Sequence, residues 1–229
     1  MKLLKGKPLA DEILEAVKTR VEALPNAPVL KVYCDDREQP YYRGILKDAV
    51  YCGIHVIDGD NHYIRRDGAI SLIDSYEVPD DLNMDGGDTT PCTAEATMRL
   101  LAYYDIPVHG RDVCIIGRSE RVGKPLARLM TEADATVTLC HSKTPRESLE
   151  THLYHSDIVV SCVGNAGFEF WHPKLENGKK KVLIDIGGDF SNAGIKCTHY
   201  APAVGGVGPV TRAVLMKHVL ERCIQNYHG

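Results

Sequence analysis

Residues 113–144 read VCIIGRSERVGKPLARLMTEADATVTLCHSKT, and this stretch indicates the fold class most clearly. Its first four residues are apolar, which is typical of a buried strand, and the strand pattern ends at Gly117. A polar turn follows, and Pro125 then favours the first turn of a helix, where its missing N–H costs least. A second β-rich run occupies residues 135–139. This order of strand, turn, helix and strand predicts a βαβ unit of the dinucleotide-binding type.

The turn at residues 117–123 could receive a diphosphate group. The first N–H groups of a helix are unpaired and carry partial positive charge, which favours an anion at that end. The usual G-x-G-x-x-G pattern is incomplete, because Ser119 stands where its second glycine would be. A βαβ crossover with a tight turn and no ligand is therefore the alternative interpretation.

The residues after the second strand favour NADP over NAD as the cofactor. An NAD enzyme typically has Asp or Glu there to bind the ribose 2′-hydroxyl, whereas this chain has CHSKT at residues 140–144. Arg118 and Ser142 could converge on a 2′-phosphate, with Lys143 and His141 as lesser helpers. A planar guanidinium matches phosphate in a bidentate manner, so the sequence predicts NADP.

Composition indicates an ordinary globular protein. The chain is 44% hydrophobic and 25% charged. Its 229 residues are enough for one large or two small domains. A net charge of −4 gives no argument for nucleic acid or an anionic membrane as a partner. The eight cysteines are scattered without a C-x-x-C pair, so we expect buried thiols in a reducing compartment and no metal site. Without a membrane-length apolar stretch or a signal-peptide core, the expected location is the cytoplasm.

Helices and strands alternate along the rest of the chain. Periodicity predicts helices over residues 7–24 and 41–52, strands over 29–34, 55–57, 69–73, 157–164 and 181–187, and a last helix after the glycine-rich loop 203–209. Thr93 is the expected N-cap of a further helix. The strands that end at Gly164 and Gly187 are continuous apolar runs, which suit a parallel sheet covered on both faces. Glycines just past such strands lie where ligands sit in doubly wound sheets, although many merely begin turns.

Short motifs that match one family run almost from end to end. They are GKPLA at 6–10, PCT at 91–93, GRS at 117–119, VGKP at 122–125, ATVT at 135–138, CHSKT at 140–144, DIV at 157–159, DIG at 185–187 and GGVGP at 205–209. Any one of these motifs alone is weak evidence for a family, but all of them in this order are specific for one. The chain thereby resembles the methylenetetrahydrofolate dehydrogenase/cyclohydrolase family.

The resemblance implies a two-domain α/β protein joined by two long helices. A Rossmann-type doubly wound parallel sheet would occupy residues 93–209 and bind NADP. Residues 1–92 would form a smaller, shortened folate-type lobe, on which the C-terminal helix at 210–229 packs. The family transfers a hydride from the methylene carbon of 5,10-methylenetetrahydrofolate to NADP and then hydrolyses the methenyl product. Family members are similar in forming homodimers through the Rossmann domain, so a homodimer is expected.

The resemblance also implies a set of cofactor-binding residues at the turns and strand ends. These are Thr93, Gly117, Arg118, Ser119, Val122, Gly123, Pro125, His141, Ser142, Cys162, Val163, Gly164, Gly187, Gly205, Gly206 and Thr211.

The sequence departs from the family at the catalytic helix. The family has a tyrosine and, four residues later, a lysine on one helix face. Here Tyr41 would pair with Ile45, or Tyr42 with Leu46, so neither register supplies a lysine. Lys47 lies five residues after Tyr42, so its side chain points roughly 140° around the helix from that of Tyr42. Lys47 could therefore substitute only if the helix were irregular at Gly44. We take Tyr41 and Lys47 as the catalytic candidates on this helix.

A second departure lies between the catalytic helix and Pro91. The family's Q-L-P-L-P motif is missing, and LNMDG at residues 82–86 is similar to the family's K-D-V-D-G. Asp85 would then be the acid that holds the pterin ring, or else a solvated turn residue.

Three functions are compatible with these departures. The chain could be an NADP-dependent dehydrogenase whose cyclohydrolase activity is weak or lost. It could instead be a non-catalytic NADP-binding paralogue with an interaction or regulatory role, or a dehydrogenase-like enzyme for a different small substrate.

Overall fold

The computed structural model describes residues 1–33, 37–58, 71–74, 90–164, 181–190 and 197–228. Within these ranges the chain forms nine strands and six helices and divides into two compact units. The first unit contains Met1–Lys7 and Thr93–Val210, and the second contains Pro8–Cys92 and Thr211–Gly229. In the part of the chain so described, no helix is long and apolar enough to cross a membrane.

The first unit is built on a six-stranded sheet whose neighbours are all parallel. Its strands are β1 (Lys2–Leu3), β5 (Asp112–Ile116), β6 (Thr136–Cys140), β7 (Ile158–Ser161), β8 (Val182–Asp185) and β9 (His199–Ala201). Helix α3 (Cys92–Tyr103) precedes β5, α4 (Gly123–Glu132) lies between β5 and β6, α5 (Arg146–His155) lies between β6 and β7, and α6 (Val207–His228) follows β9. The predicted parallel α/β fold is confirmed.

The strand order is β1-β9-β8-β7-β5-β6, so the chain reverses direction across the sheet between β5 and β7. Strand β6 is added on one side of β5, whereas β7 is added on the other side and leads to β8. In doubly wound sheets a ligand binds outside the carboxyl ends of the strands at such a switch point. The ends of β5 and β7 therefore define the place to look for a site.

The second unit contains a smaller sheet with the order β3-β2-β4. Strand β2 (Val29–Tyr33) pairs parallel with β3 (His55–Asp58) and antiparallel with β4 (Ser71–Asp74). Helices α1 (Lys7–Glu22) and α2 (Pro40–Cys52) each bury one face. Gly53 ends α2 in the left-handed region at φ 74°, and its N–H lies against the carbonyls of Ala49 and Val50.

A fully buried lysine fixes α5 within the first unit. Lys181 precedes β8, and its Nζ donates to the carbonyl oxygens of Leu153, Tyr154 and Ser156 at 2.9, 2.9 and 2.6 Å. The last carbonyls of a helix lack partners within the helix, so a cation there satisfies them and also interacts favourably with the helix dipole. This contact was not predicted, since Lys181 reads in the sequence as the polar start of a strand.

Several predicted boundaries differ from the structure. Thr93 lies inside α3 instead of capping it, because the helix already begins at Cys92, directly after Pro91. The apolar runs at 157–164 and 181–187 contain shorter strands, since their last residues form loops at the carboxyl edge of the sheet. Strands β1 and β9 were not predicted, because two and three residues are too few to show a pattern.

Candidate functional site

The turn after β5 is closed by two glycines that touch. Gly117 has φ 115°, and a Cβ on it would lie 2.8 Å from the carbonyl oxygen of Cys162. A Cβ on Gly123 would lie 1.9 Å from the carbonyl oxygen of Gly117. Both positions therefore require glycine, the first also because its φ is in the region that L side chains rarely adopt. As a result, α4 begins directly against the end of β5, with Pro125 in its first turn.

Ser119, which interrupts the expected glycine pattern, has a structural task in this turn. Its hydroxyl oxygen accepts from the backbone N–H of Val122 at 3.2 Å and of Gly123 at 3.5 Å. Its carbonyl accepts from the N–H of Lys124 at 3.1 Å. The serine thus gives partners to N–H groups at the start of α4, where such groups have none within the helix, although the N-cap residue itself is Val122.

The residues predicted to select NADP lie on two adjacent turns. The pairing of Ile116 with Cys140, and a hydrogen bond from Gly117 N–H to the Cys140 carbonyl at 2.9 Å, place the ends of β5 and β6 side by side. Arg118 follows one strand and Ser142 the other, and both side chains are exposed. Arg118 forms no hydrogen bond or ion pair with the described residues, so its guanidinium is available to a ligand.

The turn after β6 is held by its own residues. The Thr144 hydroxyl accepts from His141 N–H at 2.9 Å, and Thr144 N–H donates to the His141 carbonyl at 2.8 Å. His141 Nδ1 accepts from Lys143 N–H at 3.1 Å. His141 is thereby committed in part to shaping the turn, whereas the Lys143 side chain is exposed.

Buried Asp189 holds the loop that follows β7. Its carboxylate accepts from the Ser161 hydroxyl at 2.6 Å and from the N–H groups of Val163 and Gly164 at 3.0 Å each. Gly187 lies beside them, and a Cβ there would meet the Asp189 carboxylate and the Gly164 nitrogen at 2.3 and 2.5 Å. Sequence reasoning missed Asp189, and the only signal was a second acid shortly after the Asp-Ile-Gly motif.

A second buried carboxylate shapes the turn after β8. Asp185 accepts from the backbone N–H groups of Gly188, Asp189 and Phe190 at 2.8, 2.9 and 3.2 Å. A carboxylate that receives several backbone N–H groups stabilises a tight turn in the way that a helix cap does. The described first residues of these loops, 162–164 after β7 and 186–190 after β8, are therefore held by buried carboxylates.

Cys162 lies between these loops and the end of β5. Its thiol donates to the carbonyl oxygen of Ile116 at 3.2 Å. Burial, together with the charge of Asp189, raises the pKa of Cys162 to about 12. The thiol is therefore neutral at physiological pH and acts in packing, since only a thiolate is a strong nucleophile.

The glycine-rich loop before α6 packs against the N-terminal motif. Gly6 N–H donates to the Gly205 carbonyl at 2.8 Å, and a Cβ on Gly6 would lie 1.9 Å from the Gly206 carbonyl oxygen. Two motifs that lie 200 residues apart in sequence thus meet backbone to backbone. Thr93 is half-buried in the first unit, whereas Thr211 is buried and belongs to the second unit.

The catalytic candidates on α2 have different surroundings. Tyr41 is half-buried, and burial raises the pKa of its phenol above the ordinary value. Ile45 and Tyr42 are buried in the core. The irregularity that would bring Lys47 to Tyr41 is absent, because α2 is a continuous helix and Lys47 is exposed, roughly 120° around the axis from Tyr41. Asp85 lies outside the described residues.

Sequence reasoning also missed a cation beside Tyr41. Arg212 on α6 donates through Nε to Asp48 on α2 at 2.8 Å, and its guanidinium carbon lies 6.0 Å from the centre of the Tyr41 ring. Mid-helix Gly44 was the one hint in the sequence, since it leaves room for a neighbour. Among the described residues, no group of three or more His, Cys, Asp or Glu could hold a metal ion.

The parallel sheet with its switch point and the glycine turn at its carboxyl edge are those of an NAD(P)-binding α/β protein. The family model described as "Tetrahydrofolate dehydrogenase/cyclohydrolase, NAD(P)-binding domain" matches residues 91–227. The "Bifunctional protein FolD" of Kosmotoga olearia is 32% identical over 269 aligned positions, covering 95% of each chain. That alignment is longer than the 229 residues of this chain, so the relative has segments that this chain lacks.

Solved structures show the same fold. The 5,10-methylenetetrahydrofolate dehydrogenase of the silkworm, Bombyx mori, superposes with a TM-score of 0.79 at 23% identity and covers 100% of both chains. The dehydrogenase-cyclohydrolase of Trypanosoma brucei, solved with NADP and an inhibitor, gives a TM-score of 0.76 at 23% identity, covering 96% of this chain and 97% of that one. The chain belongs to the tetrahydrofolate dehydrogenase/cyclohydrolase family.

The contact between Gly123 and Gly117 yields a prediction. Gly123→Ala should destabilise the protein by about 1–3 kcal/mol or more, because the methyl group overlaps a backbone carbonyl that cannot move without disturbing β5. Thermal or urea unfolding measures the change. Gly208→Ala is the matched control, since a Cβ there meets nothing within 4 Å and should leave stability equal or slightly higher. Equal stability of the two variants would contradict the close packing of the turn.

Proposed function

We propose that the chain is an NADP-dependent 5,10-methylenetetrahydrofolate dehydrogenase in which hydrolysis of the methenyl product is weak or lost. In this proposal residues 93–209 bind the cofactor, and residues 1–92 with the helix at 210–229 form the folate lobe. The observation that carries it is the state of α2. This helix keeps Tyr41, but it has the core residue Ile45 at the lysine position and a solvent-exposed Lys47.

NADP is supported by the two turns at the ends of β5 and β6. Arg118 is exposed and has no partner among the described residues, and Ser142 is exposed on the adjacent turn. No acid follows β6 to bind a ribose 2′-hydroxyl. The related T. brucei enzyme was solved with NADP, which agrees with this choice.

Hydride transfer is the part of the reaction that tolerates the loss of the lysine. When bound, NADP supplies the hydride acceptor, and the protein mainly holds the two reactants in register. The chain's own contribution is the rigid edge of the sheet. There Gly117 and Gly123 shape the turn, and Asp189 orients the N–H groups of Val163 and Gly164.

Hydrolysis makes a different demand, because a positioned group must activate water or stabilise charge at the reacting carbon. General acid–base help of this kind contributes about 10²–10⁴-fold. Tyr41 is protonated at neutral pH, since burial raises the pKa of its phenol, and Ile45 has no polar atom. At the two positions of the family's catalytic pair, Tyr41 and Ile45, α2 therefore offers no base to a water molecule.

A non-catalytic NADP-binding paralogue is the second candidate. The same missing lysine favours it, together with segments present in the K. olearia relative and absent here. It predicts cofactor binding without turnover, which separates it from the dehydrogenase.

The proposed function predicts the turnover of two substrates. The purified chain should reduce NADP with 5,10-methylenetetrahydrofolate, and it should hydrolyse methenyltetrahydrofolate at close to the rate in buffer alone. Absorbance of the reduced cofactor and loss of methenyl absorbance measure the two steps. Lys47→Ala should change neither rate, because its side chain points to solvent. Rapid hydrolysis would refute the loss of cyclohydrolase activity, whereas NADP binding without reduction would favour the paralogue.

The proposed role of Arg118 predicts a change in cofactor choice. Arg118→Ala should weaken NADP binding by about 1.5–3 kcal/mol, the value of a charge-assisted hydrogen bond, and should leave NAD binding nearly unchanged. Fluorescence titration with each cofactor measures both affinities. Arg128→Ala is the control, since Arg128 is an exposed arginine on α4 that pairs with Glu132. Equal weakening of NADP and NAD would remove Arg118 from the 2′-phosphate site.

We further propose a homodimer formed through the first unit, in the cytoplasm. Among the described residues the cysteines are free thiols, which suits a reducing compartment. Strand β6 lies at the edge of the six-stranded sheet, where unpaired backbone groups are available to a second copy. Light scattering at micromolar concentration should give twice the mass of one chain. Val137→Lys places a charge on the half-buried edge strand, so it should shift the measured mass toward that of one chain. A monomeric parent would refute the dimer.

A further inference from the structure

Three residues of α2 form one face against an arginine from α6. Tyr41, Gly44 and Asp48 are separated by three and four positions, so they follow one another along the helix surface. Arg212 lies across this face in the second unit. Its Nε donates to Asp48 Oδ2 at 2.8 Å, and its guanidinium carbon is 6.0 Å from the Tyr41 ring centre. The Arg212 charge opposes the rise that burial causes in the pKa of Tyr41.

Gly44 is the residue that makes room for the guanidinium. A Cβ at this position would lie 2.6 Å from Nε and 2.7 Å from Cζ of Arg212. Glycine in a helix interior costs about 1 kcal/mol relative to alanine, so its presence at the centre of α2 calls for a packing reason. The space it leaves is filled by Arg212, and any larger residue would displace the guanidinium.

The guanidinium has more donors than the protein uses. It carries five N–H groups, and Nε–H is bonded to Asp48. Within the described residues, the two terminal amino groups have no acceptor, and the Arg212 side chain is 21% exposed. A largely buried donor that stays unpaired lowers the stability of the protein, so an acceptor from solvent or a ligand belongs there.

We propose that Arg212 is a substrate-recognition residue whose terminal amino groups bind the acceptor edge of a planar heterocycle, such as the carbonyl and ring nitrogen of a pterin, next to Tyr41. The inference rests on the proposed function and names a residue that α2 alone does not supply. The positive charge of the site comes from α6, and Asp48 and Gly44 position it. A guanidinium matches two adjacent acceptors because its N–H groups form a rigid fork.

The chemistry of arginine limits this role to binding. A guanidinium is not deprotonated in proteins, so it cannot act as a base toward water. Arg212 therefore contributes to substrate affinity and orientation, on which hydride transfer depends, without restoring general base catalysis of hydrolysis.

The test uses paired variants of the full chain and calorimetric binding of 5,10-methylenetetrahydrofolate or a stable reduced-folate analogue. Arg212→Met with Asp48→Asn removes both charges together, so no buried carboxylate is left unpaired. This double variant should bind folate about 10–100-fold more weakly and NADP with unchanged affinity. Asp48→Asn alone should lose less, because the amide oxygen still accepts the Nε–H bond. Gly44→Val, which displaces the guanidinium and keeps every charge, should reproduce the loss.

Arg43→Met is the control, since Arg43 is an exposed arginine on the same helix that pairs with Glu38. It should leave both affinities unchanged. Wild-type folate affinity in the double variant would overturn the inference, as would equal losses in the double variant and in Asp48→Asn alone, which would show a structural ion pair. A parent chain that binds NADP but no folate would overturn the proposed function itself, and the parent measurement alone reveals that outcome.

Discussion

The contact between Gly123 and the carbonyl group of Gly117 is the constraint on which the rest of the first unit depends. It allows α4 to begin directly over the end of β5, with no side chain between them. Gly117 in turn packs on Cys162 at the end of β7, so the two strands beside the switch point are joined at their carboxyl ends. Backbone groups thereby form the surface that a dinucleotide would meet, as close approach to a diphosphate requires.

Side chains around this turn work mainly on the protein's own backbone. Ser119 gives partners to N–H groups at the start of α4, Asp185 gathers three N–H groups of the turn after β8, and Asp189 binds the loop after β7. Hydrogen bonds to a charged acceptor contribute about 1.5–3 kcal/mol each, so the described loop residues 162–164 and 186–190 are held in place by the protein itself. A preorganised site of this kind suits hydride transfer, which depends on holding two reactants in register.

In the second unit, α2 places Tyr41 and Ile45 at the two positions that correspond to the family's tyrosine and lysine. Ile45, at the position where the family has a lysine, is buried in the core, whereas Tyr41 is half-buried. A cation lies beside Tyr41 even so, because Gly44 admits Arg212 from α6 and Asp48 holds it. A guanidinium keeps its proton, so Arg212 supplies a positive charge beside Tyr41 without an acid or base.

Local patterns in the sequence are enough to predict the parallel α/β fold and the strand–turn–helix at residues 113–132, since periodicity, Gly117 and Gly123 report local backbone needs. The adjacent turns bearing Arg118 and Ser142 also followed from the order of strands. The contacts between distant polar residues, in contrast, are visible only in the folded chain. Asp189 meets Ser161 across 28 residues, and Arg212 meets Asp48 across 164. A local pattern records whether a residue suits a helix, strand or turn, but pairing between distant residues exists only once the chain has folded.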